Sequence, residues 1–214
     1  LRTPRMFGDV PKRVTNNKYN LYRHPRIIDA VKSFLYCYIP TDKTVHFGDC
    51  SGNKVGSYNM YTKLMNETGS GEASWLRDSY SYEKPVDLYD FFVPLSSIEP
   101  TVPYNASVHF KEIGWVIMRS DFNDPEKVVI AGKSGLNNDP HHGHLDAGHF
   151  SLYWRGIEFI SDNGSAAQDQ AYFEEARWDN PLASSIGHNV VFVNSEKQVP
   201  CKLKNKPWDE TIGG

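Results

Sequence analysis

Apolar residues recur at helical spacing over the first half of the chain. One such stripe lies within residues 26–39, at Ile27, Ile28, Val31, Phe34, Leu35 and Tyr38. It predicts an amphipathic helix, because residues three and four apart share one helical face. Residues 58–66 and 72–80 predict two further helices. Several prolines then indicate a linker, at Pro85, Pro94, Pro100 and Pro103.

The pattern changes from helix-like to strand-like after this linker. Apolar and alternating segments predict five strands, at residues 113–119, 128–131, 150–154, 157–160 and 189–193. The sequence Asn-Asp-Pro separates the first two segments, and Arg155-Gly156 separates the third from the fourth. Each of these short connections is typical of a turn, so we predict two β-hairpins.

The two patterns together predict an α+β protein of more than one domain. Residues 1–102 are expected to form a helical domain, and residues 103–214 an antiparallel β-sandwich domain. No apolar run reaches the roughly 18 residues that a membrane helix needs, so no membrane span is expected. The formal charge of −3 is spread along the chain, which argues against nucleic acid as a partner. An acidic substrate remains compatible with a local basic patch.

Five of the eight histidines lie between residues 141 and 188, around the second predicted hairpin. His144 precedes this hairpin, Asp162 follows it, and His188 begins the last predicted strand. The outer ends of adjacent antiparallel strands meet at one edge of a sheet, so His144 and Asp162 are expected to be neighbours. With His188 they would form a ligand set of two nitrogen atoms and one oxygen atom.

Two imidazoles and one carboxylate suit zinc, with water as the fourth ligand. Iron held by two histidines and one carboxylate is the competing metal. A polar loop without any metal, whose histidines bond to nearby carbonyl groups, is the third interpretation. Asp146 is predicted either to hold an imidazole nitrogen from outside the ligand set or to help turn the loop.

His142 is a candidate catalytic residue. It lies two positions from His144, so in an extended segment both side chains project to the same face. A histidine beside a metal in an open cleft can give or take protons near neutral pH. His141 is expected to point the other way and, like Arg177, is a candidate substrate contact; a surface salt bridge is the alternative for Arg177. His149 is expected to lie on the strand surface.

Five segments of this region carry a resemblance to a known family: residues 114–121, 142–150, 154–156, 162–164 and 188–189. The second of them reads His-Gly-His-Leu-Asp-Ala-Gly-His-Phe, and the fourth reads Asp-Asn-Gly. In this order they resemble the heparinase II/III-like polysaccharide lyases.

The resemblance implies an (α/α) toroid, incomplete here, followed by an antiparallel β-sandwich, with a substrate cleft between them. It implies β-elimination at a uronic acid of an acidic polysaccharide, such as heparin, heparan sulfate or alginate. Residue by residue, it implies Zn²⁺ bound by His144, Asp162 and His188, with the ion organising the site. It also implies that His142 is the catalytic histidine of the β-sheet side, and that the protein is periplasmic or secreted.

One expected residue has no assigned position. In that family a catalytic tyrosine comes from the helical domain, and too few residues precede His142 for a full toroid. Tyr58, Tyr61 and Tyr104 are therefore left without this role. We expect the remainder of the same protein, or another chain, to complete the active site. The chain alone is expected to be poorly active or inactive.

Two other function classes are kept beside the lyase. The first is a non-catalytic carbohydrate-binding β-sandwich with a structural zinc, which has no need of a histidine such as His142 beside the metal. The second is a metal-dependent hydrolase that uses a zinc-bound water. The products separate these classes, because elimination leaves an unsaturated sugar that absorbs ultraviolet light and hydrolysis does not.

Overall fold

The computed structural model describes residues 2–39, 43–50, 58–80, 97–124, 126–137, 142–168 and 171–200. The chain divides into two compact units. The helical unit comprises Leu1–Cys37 and Val55–Tyr104, and the sheet unit comprises Tyr38–Lys54 and Asn105–Gly214. The predicted domain boundary after residue 102 stays a prediction. The structure adds that a segment from the first half of the chain groups with the sheet.

The helical unit contains four α-helices within the described ranges: α1 (Arg2–Val14), α2 (Pro25–Cys37), α3 (Tyr58–Thr68) and α4 (Gly71–Tyr80). The last three lie where the apolar spacing predicts helices. Helix α1 was not predicted, because its sequence is largely polar and contains two prolines. Pro4 lies in the first turn, where a missing amide hydrogen costs nothing, and Pro11 lies near the other end. Closure of these helices into a toroid remains a prediction.

Helices α3 and α4 meet at a tight turn, beside which a small hydrophobic cluster forms. Gly69 has φ +69°, which favours glycine, and Ser70 Oγ accepts a hydrogen bond from the Ala73 amide at 3.1 Å. The buried side chains of Met65 and Ala73 pack there, with Leu64 and Ile98 partly buried beside them.

One carboxylate links α1 to α3. Glu67 of α3 accepts hydrogen bonds from Lys12 of α1 and, at 2.8 Å, from Lys63 one turn earlier in α3. Burial raises the pKa of Glu67, but the two ammonium groups outweigh burial, and the pKa lies below its usual value. The glutamate therefore stays charged at neutral pH and ties the two helices together.

The sheet unit contains a five-stranded antiparallel sheet in the order β1-β2-β3-β4-β5. The strands are β1 (Ser107–Phe110), β2 (Trp115–Arg119), β3 (Val128–Lys133), β4 (Phe150–Trp154) and β5 (Ile157–Ile160). Both predicted hairpins are confirmed, as β2–β3 and β4–β5. In the second, Arg155 and Gly156 have φ +51° and +73°, which match a two-residue hairpin turn.

The fifth predicted strand is wrong. Residues 189–193 form no strand, and only Val193 makes an isolated bridge, to Glu196. Val191 is 83% exposed, so the apolar run is not packed into a sheet by the described residues. His188 is instead positioned by a 3₁₀ turn, Ser185–Gly187, that ends just before it. A short apolar run does not reveal whether a neighbouring strand exists to pair with it.

The two faces of the sheet differ in solvent exposure. One face carries fully buried side chains, including Ile117, Val129, Ala131 and Tyr153. The other face is also apolar but is between 38% and 58% exposed at Met118, Phe150, Trp154, Ile157 and Phe159. An antiparallel sheet with this pattern fits one layer of the predicted β-sandwich. The second layer stays a prediction.

Residues 38–39 and 43–50 contact the buried face. Arg119 of β2 donates a hydrogen bond to the Tyr38 carbonyl oxygen at 2.9 Å, and the rings of Phe47 and Trp115 meet edge to face at 4.8 Å. This packing places Gly48 and Asp49 beside the loop that follows β3. Among the described residues, no helix is both long enough and apolar enough to cross a membrane.

Candidate active site

The candidate site lies on loops at one end of the sheet. His142 and His144 belong to the connection between β3 and β4, and Asp162 follows β5. Backbone hydrogen bonds fix the connection: the Leu145 amide donates to the Ala183 carbonyl oxygen at 2.9 Å, and the Gly148 amide donates to that of Lys133 at 2.7 Å. The histidines are therefore held by loops that are themselves anchored to the sheet and to the turn before His188.

Asp49 is the centre of one group of side chains. Its Oδ2 lies 2.9 Å from His142 Nδ1, and its Oδ1 lies 3.0 Å from His144 Nε2. The Tyr172 hydroxyl donates to the same Oδ1, which is also 3.5 Å from the Arg177 guanidinium. Four donors on three segments thus converge on one carboxylate.

Asp49 is charged at neutral pH. Burial raises its pKa, but hydrogen bonds from Tyr172, His142 and His144 and the charge of Arg177 together lower it below its usual value. Burial and the bond to Asp49 raise the pKa of Tyr172, so its hydroxyl stays protonated and donates. The carboxylate therefore acts only as an acceptor, and each imidazole nitrogen that faces it carries a proton.

Asp162 is the centre of a second, fully buried group. Its Oδ2 lies 2.8 Å from His188 Nδ1 and 3.3 Å from His149 Nε2, and its Oδ1 accepts from the Gly164 amide at 2.7 Å. Burial raises its pKa, but these interactions outweigh burial and lower it. His188 thus carries a proton on Nδ1, which leaves Nε2 as its basic nitrogen.

Two imidazole nitrogens of these groups and one nearby carboxylate oxygen are buried without a hydrogen-bond partner in the described part of the chain. They are His144 Nδ1, His188 Nε2 and Asp146 Oδ2. A ligand atom from each of these residues lies within 4.8 Å of the others. Buried lone pairs without partners are costly. Burial also lowers the pKa of His144, so its ring is neutral and its Nδ1 can bind a cation. The residues therefore fit a metal ion.

The second metal-compatible group, His149 with Asp162 and His188, fits less well. His149 Nδ1 accepts a hydrogen bond from the Asn189 amide at 3.1 Å. Its Nε2 therefore carries the proton and faces Asp162 and Ser151 Oγ, so this neutral ring has no lone pair left for a metal. His149 serves as a hydrogen-bond partner of the aspartate.

The structure places His144 and Asp162 each beside His188, but the three predicted ligands do not form one of the groups whose ligand atoms all lie within 4.8 Å of one another. The ring centroids of His144 and His188 are 5.1 Å apart, and Asp162 contacts His188 directly. Two carboxylates therefore compete for the third ligand position: Asp162, which the resemblance implies, and Asp146, which has the oxygen atom without a partner. The ligand assignment stays a prediction.

Of the two roles predicted for Asp146, the structure shows the loop turn: its carbonyl oxygen accepts from the His149 amide at 2.9 Å, while its Oδ1 accepts from Lys133 Nζ at 2.5 Å. Two details of the predicted site differ in the structure. His149 is 1% exposed rather than on the strand surface, since its ring turns inward to Asp162. The Arg177 side chain is also fully buried, and its guanidinium donates to the Gly143 carbonyl oxygen at 2.5 Å. His141 lies outside the described residues.

Asp49 was missed in the sequence. It lies 93 positions before His142, in a segment without periodicity, and no motif spacing connects the two. The signal that could have pointed to Asp49 was the glycine before it, Gly48. Gly48 has φ +59°, and a Cβ there would lie 2.5 Å from the His142 carbonyl oxygen. Only glycine permits this close approach.

A cavity of about 880 Å³ opens beside these groups. Its lining includes Asp49, His142 and His144 together with Trp115, Lys111 and Lys133. The His142 side chain is 62% exposed, whereas that of His144 is fully buried. The arrangement therefore offers one accessible imidazole at an open cavity and a buried set of metal-compatible atoms behind it.

The sequence model of the family described as "Heparinase II/III-like, C-terminal" matches residues 103–208. The chain belongs to the heparinase II/III-like family. The match contains β1 to β5 and every predicted site residue. No curated protein matches the sequence.

Solved structures support the fold of this heparinase II/III-like chain. Heparan sulfate lyase HepC from Pedobacter heparinus aligns with a TM-score of 0.57 at 19% identity, and a mutant of it with 0.62 at 16% identity; each alignment covers 88% of this chain and 27% of the other. The heparinase III BT4657 gene product aligns with a TM-score of 0.58 at 16% identity, over 81% of this chain and 24% of that one. The chain thus spans about a quarter of the length of these proteins.

Replacement of Arg177 tests whether it supports the site or contacts substrate. Because Arg177→Met would leave the buried Asp49 without its cation, we expect the free energy of unfolding to fall by about 3 kcal/mol. Thermal denaturation measures the change. Lys197→Met is the control, since Lys197 pairs with Asp179 at 4.0 Å with both side chains largely exposed, and should cost less than about 1 kcal/mol. An Arg177→Met protein of unchanged stability that binds polysaccharide less tightly would instead support substrate contact.

Proposed function

We propose that this chain forms the β-sheet side of the active site of a polysaccharide lyase. The substrate is an acidic polysaccharide that contains uronic acid, and the reaction is β-elimination. The observation that carries the proposal is His142, an accessible imidazole at an open cavity whose Nδ1 is held by the buried Asp49. A non-catalytic binding module has no need of such a residue.

The reaction requires groups that move protons and groups that neutralise charge. Removal of the proton on C5 of a uronate leaves negative charge beside the sugar carboxylate, and positive or hydrogen-bonding groups must stabilise it. A base takes the C5 proton, and an acid protonates the oxygen that leaves C4. With its proton on Nδ1, His142 presents Nε2 as the basic nitrogen. Depending on the epimer of the uronate, His142 either acts as the base that takes the C5 proton or helps to neutralise the negative charge that forms.

The cavity suits an acidic sugar chain. Trp115 offers an apolar ring surface for stacking, and Lys111 is an exposed cation of the lining. Lys133 pairs with Asp146 and is less available. The matched solved structures are named as a heparan sulfate lyase and a heparinase. Heparin and heparan sulfate are therefore the first substrates proposed, and alginate-like polymers are the alternative.

We also propose that Zn²⁺ is bound by His144, His188 and Asp162. Support comes from the two buried imidazole nitrogens without partners among the described residues, His144 Nδ1 and His188 Nε2. Asp162 contacts the other nitrogen of His188, so its place in the ligand set rests on the resemblance. A carboxylate or carbonyl on the second nitrogen of a ligating histidine fixes its ring and tautomer, and Asp49 does this for His144. When bound, the ion holds these side chains together and adds positive charge to the site.

The acid that protonates the leaving oxygen is assigned outside the described residues. Tyr172 belongs to the Asp49 group and is buried, so its hydroxyl is already engaged as a donor. We propose that a tyrosine from the helical toroid, in the remainder of the same protein or in another chain, completes the site. A periplasmic or secreted location accompanies this proposal.

The reaction is tested by ultraviolet absorbance during incubation of the complete protein with heparin, heparan sulfate and alginate. Absorbance should rise on one of them as unsaturated sugar forms. His142→Ala should keep its fold and its zinc but lose turnover by roughly 10²- to 10⁴-fold, because proton transfer contributes that much. His109→Ala, a change of an exposed histidine in β1, is the control and should keep full activity.

Two outcomes would contradict this account. Full activity in His142→Ala would remove the residue from the chemistry. A flat trace on every polymer, from wild-type protein with stoichiometric zinc, would favour the carbohydrate-binding module instead.

The metal site is tested by the zinc content of purified variants. His144→Ala should lose zinc and melt at a lower temperature than wild type, because a bound ion stabilises only the folded state. Asp162→Asn should do the same, whereas Asp146→Asn should keep its zinc. Loss of zinc from Asp146→Asn alone would transfer the carboxylate role to Asp146. Stoichiometric zinc in His144→Ala would contradict the site as a whole.

A further inference from the structure

We propose that Asp49 is a positioning residue that sets the proton and the ring orientation of both His142 and His144. One carboxylate would thereby prepare the catalytic imidazole and the metal-binding imidazole at once. The inference rests on the proposed function for the roles of the two histidines. The contacts that carry it do not depend on that function.

Asp49 is attached to His142 at two points. Its backbone amide donates to the His142 carbonyl oxygen at 3.1 Å, and its Oδ2 lies 2.9 Å from His142 Nδ1. Gly48 permits this approach, because any side chain there would collide with the His142 carbonyl group. A backbone bond and a side-chain bond between the same two residues fix the distance and the rotation of the ring relative to the carboxylate.

The two oxygen atoms of Asp49 have different tasks. Oδ2 faces His142, whereas Oδ1 faces His144 at 3.0 Å together with the Tyr172 hydroxyl and the Arg177 guanidinium. A carboxylate accepts at both oxygens, so both imidazoles can present a protonated nitrogen. His142 then carries its proton on Nδ1 and is basic at Nε2. His144 carries its proton on Nε2 and is basic at the buried Nδ1.

An amide at this position cannot perform both tasks. Asparagine has one acceptor oxygen and one NH₂ donor, so one of the two imidazoles must face a donor. The oxygen is expected to remain on the side of His144, Tyr172 and Arg177, because three donors converge there. The NH₂ group of Asp49→Asn then faces His142 Nδ1, which must become the acceptor. His142 is forced into the tautomer with its proton on Nε2, the nitrogen that chemistry needs to be basic.

The test uses the complete, zinc-loaded protein as wild type, Asp49→Asn, Asp49→Glu and Asp179→Asn. Heteronuclear NMR of the imidazole nitrogens reports the tautomer of His142 at a pH where the ring is neutral. Asp49→Asn should change that tautomer, keep its zinc and lower kcat by about 10- to 100-fold with KM unchanged. Asp49→Glu should keep the wild-type tautomer and recover part of kcat. Asp179→Asn, the same charge change at a side chain that is 88% exposed, should match wild type.

A wild-type tautomer of His142 in Asp49→Asn would overturn the inference, even if kcat fell, because the loss would then be structural. The Asp49→Glu protein keeps the inference testable if Asp49→Asn fails to fold: an Nε2-protonated His142 in a folded Asp49→Glu protein with zinc would also overturn it. Failure of the proposed function looks different. It would leave wild-type protein inactive on every uronate polymer while the tautomer change in Asp49→Asn remained.

Discussion

The site depends on two buried carboxylates, which accept hydrogen bonds and donate none. Asp49 and Asp162 each lie under a set of donors, and each has a pKa below its usual value because those donors outweigh burial. Both therefore stay anionic and fix which nitrogen of each neighbouring imidazole holds the proton. His144 and His188 each keep one basic nitrogen, and both of these nitrogens are buried. The basic nitrogen of His142 lies at an open cavity.

The fold serves this arrangement by bringing distant segments to the same loops. The sheet supplies a rigid edge, from which the β3–β4 connection and the residue after β5 project. The turn before His188 and the packed segment of residues 43–50 supply the remaining partners. The guanidinium of Arg177 lies over the ring of Tyr172, 4.4 Å from its centroid, and 3.5 Å from the carboxylate of Asp49. Of the described side chains in the Asp49 and Asp162 groups, that of His142 is the exposed one.

Much of the sheet could be predicted from the sequence. Alternating apolar residues located both hairpins, and their geometry predicted that Asp162 would lie beside His144. In the structure Asp162 instead contacts His188 and His149. The clustering of histidines around the second hairpin located the site. The apolar run at residues 189–193 was misleading, because such a run has the same appearance whether or not a partner strand pairs with it.

The orientation of side chains was harder to predict. Nothing in the spacing of His149 reveals that its ring turns inward, or that Arg177 is buried among aromatic rings. Asp49 lay beyond reach because its partners are 93 and 95 positions away and no periodic pattern links them. Contacts of this kind depend on tertiary packing, so the sequence located the histidine cluster but not the carboxylate that contacts it.

The most direct test of the account is the fate of water oxygen when the complete protein cleaves its polysaccharide in water enriched in heavy oxygen. Elimination breaks the C4–oxygen bond without adding water. In samples quenched before the oxygen of the new reducing end exchanges with solvent, mass spectrometry should therefore find unsaturated ends and no heavy oxygen in either product. Incorporation of one heavy oxygen atom per cleavage, with saturated ends, would contradict the account. It would show that a water molecule attacks the glycosidic bond, as a metal-dependent hydrolase requires.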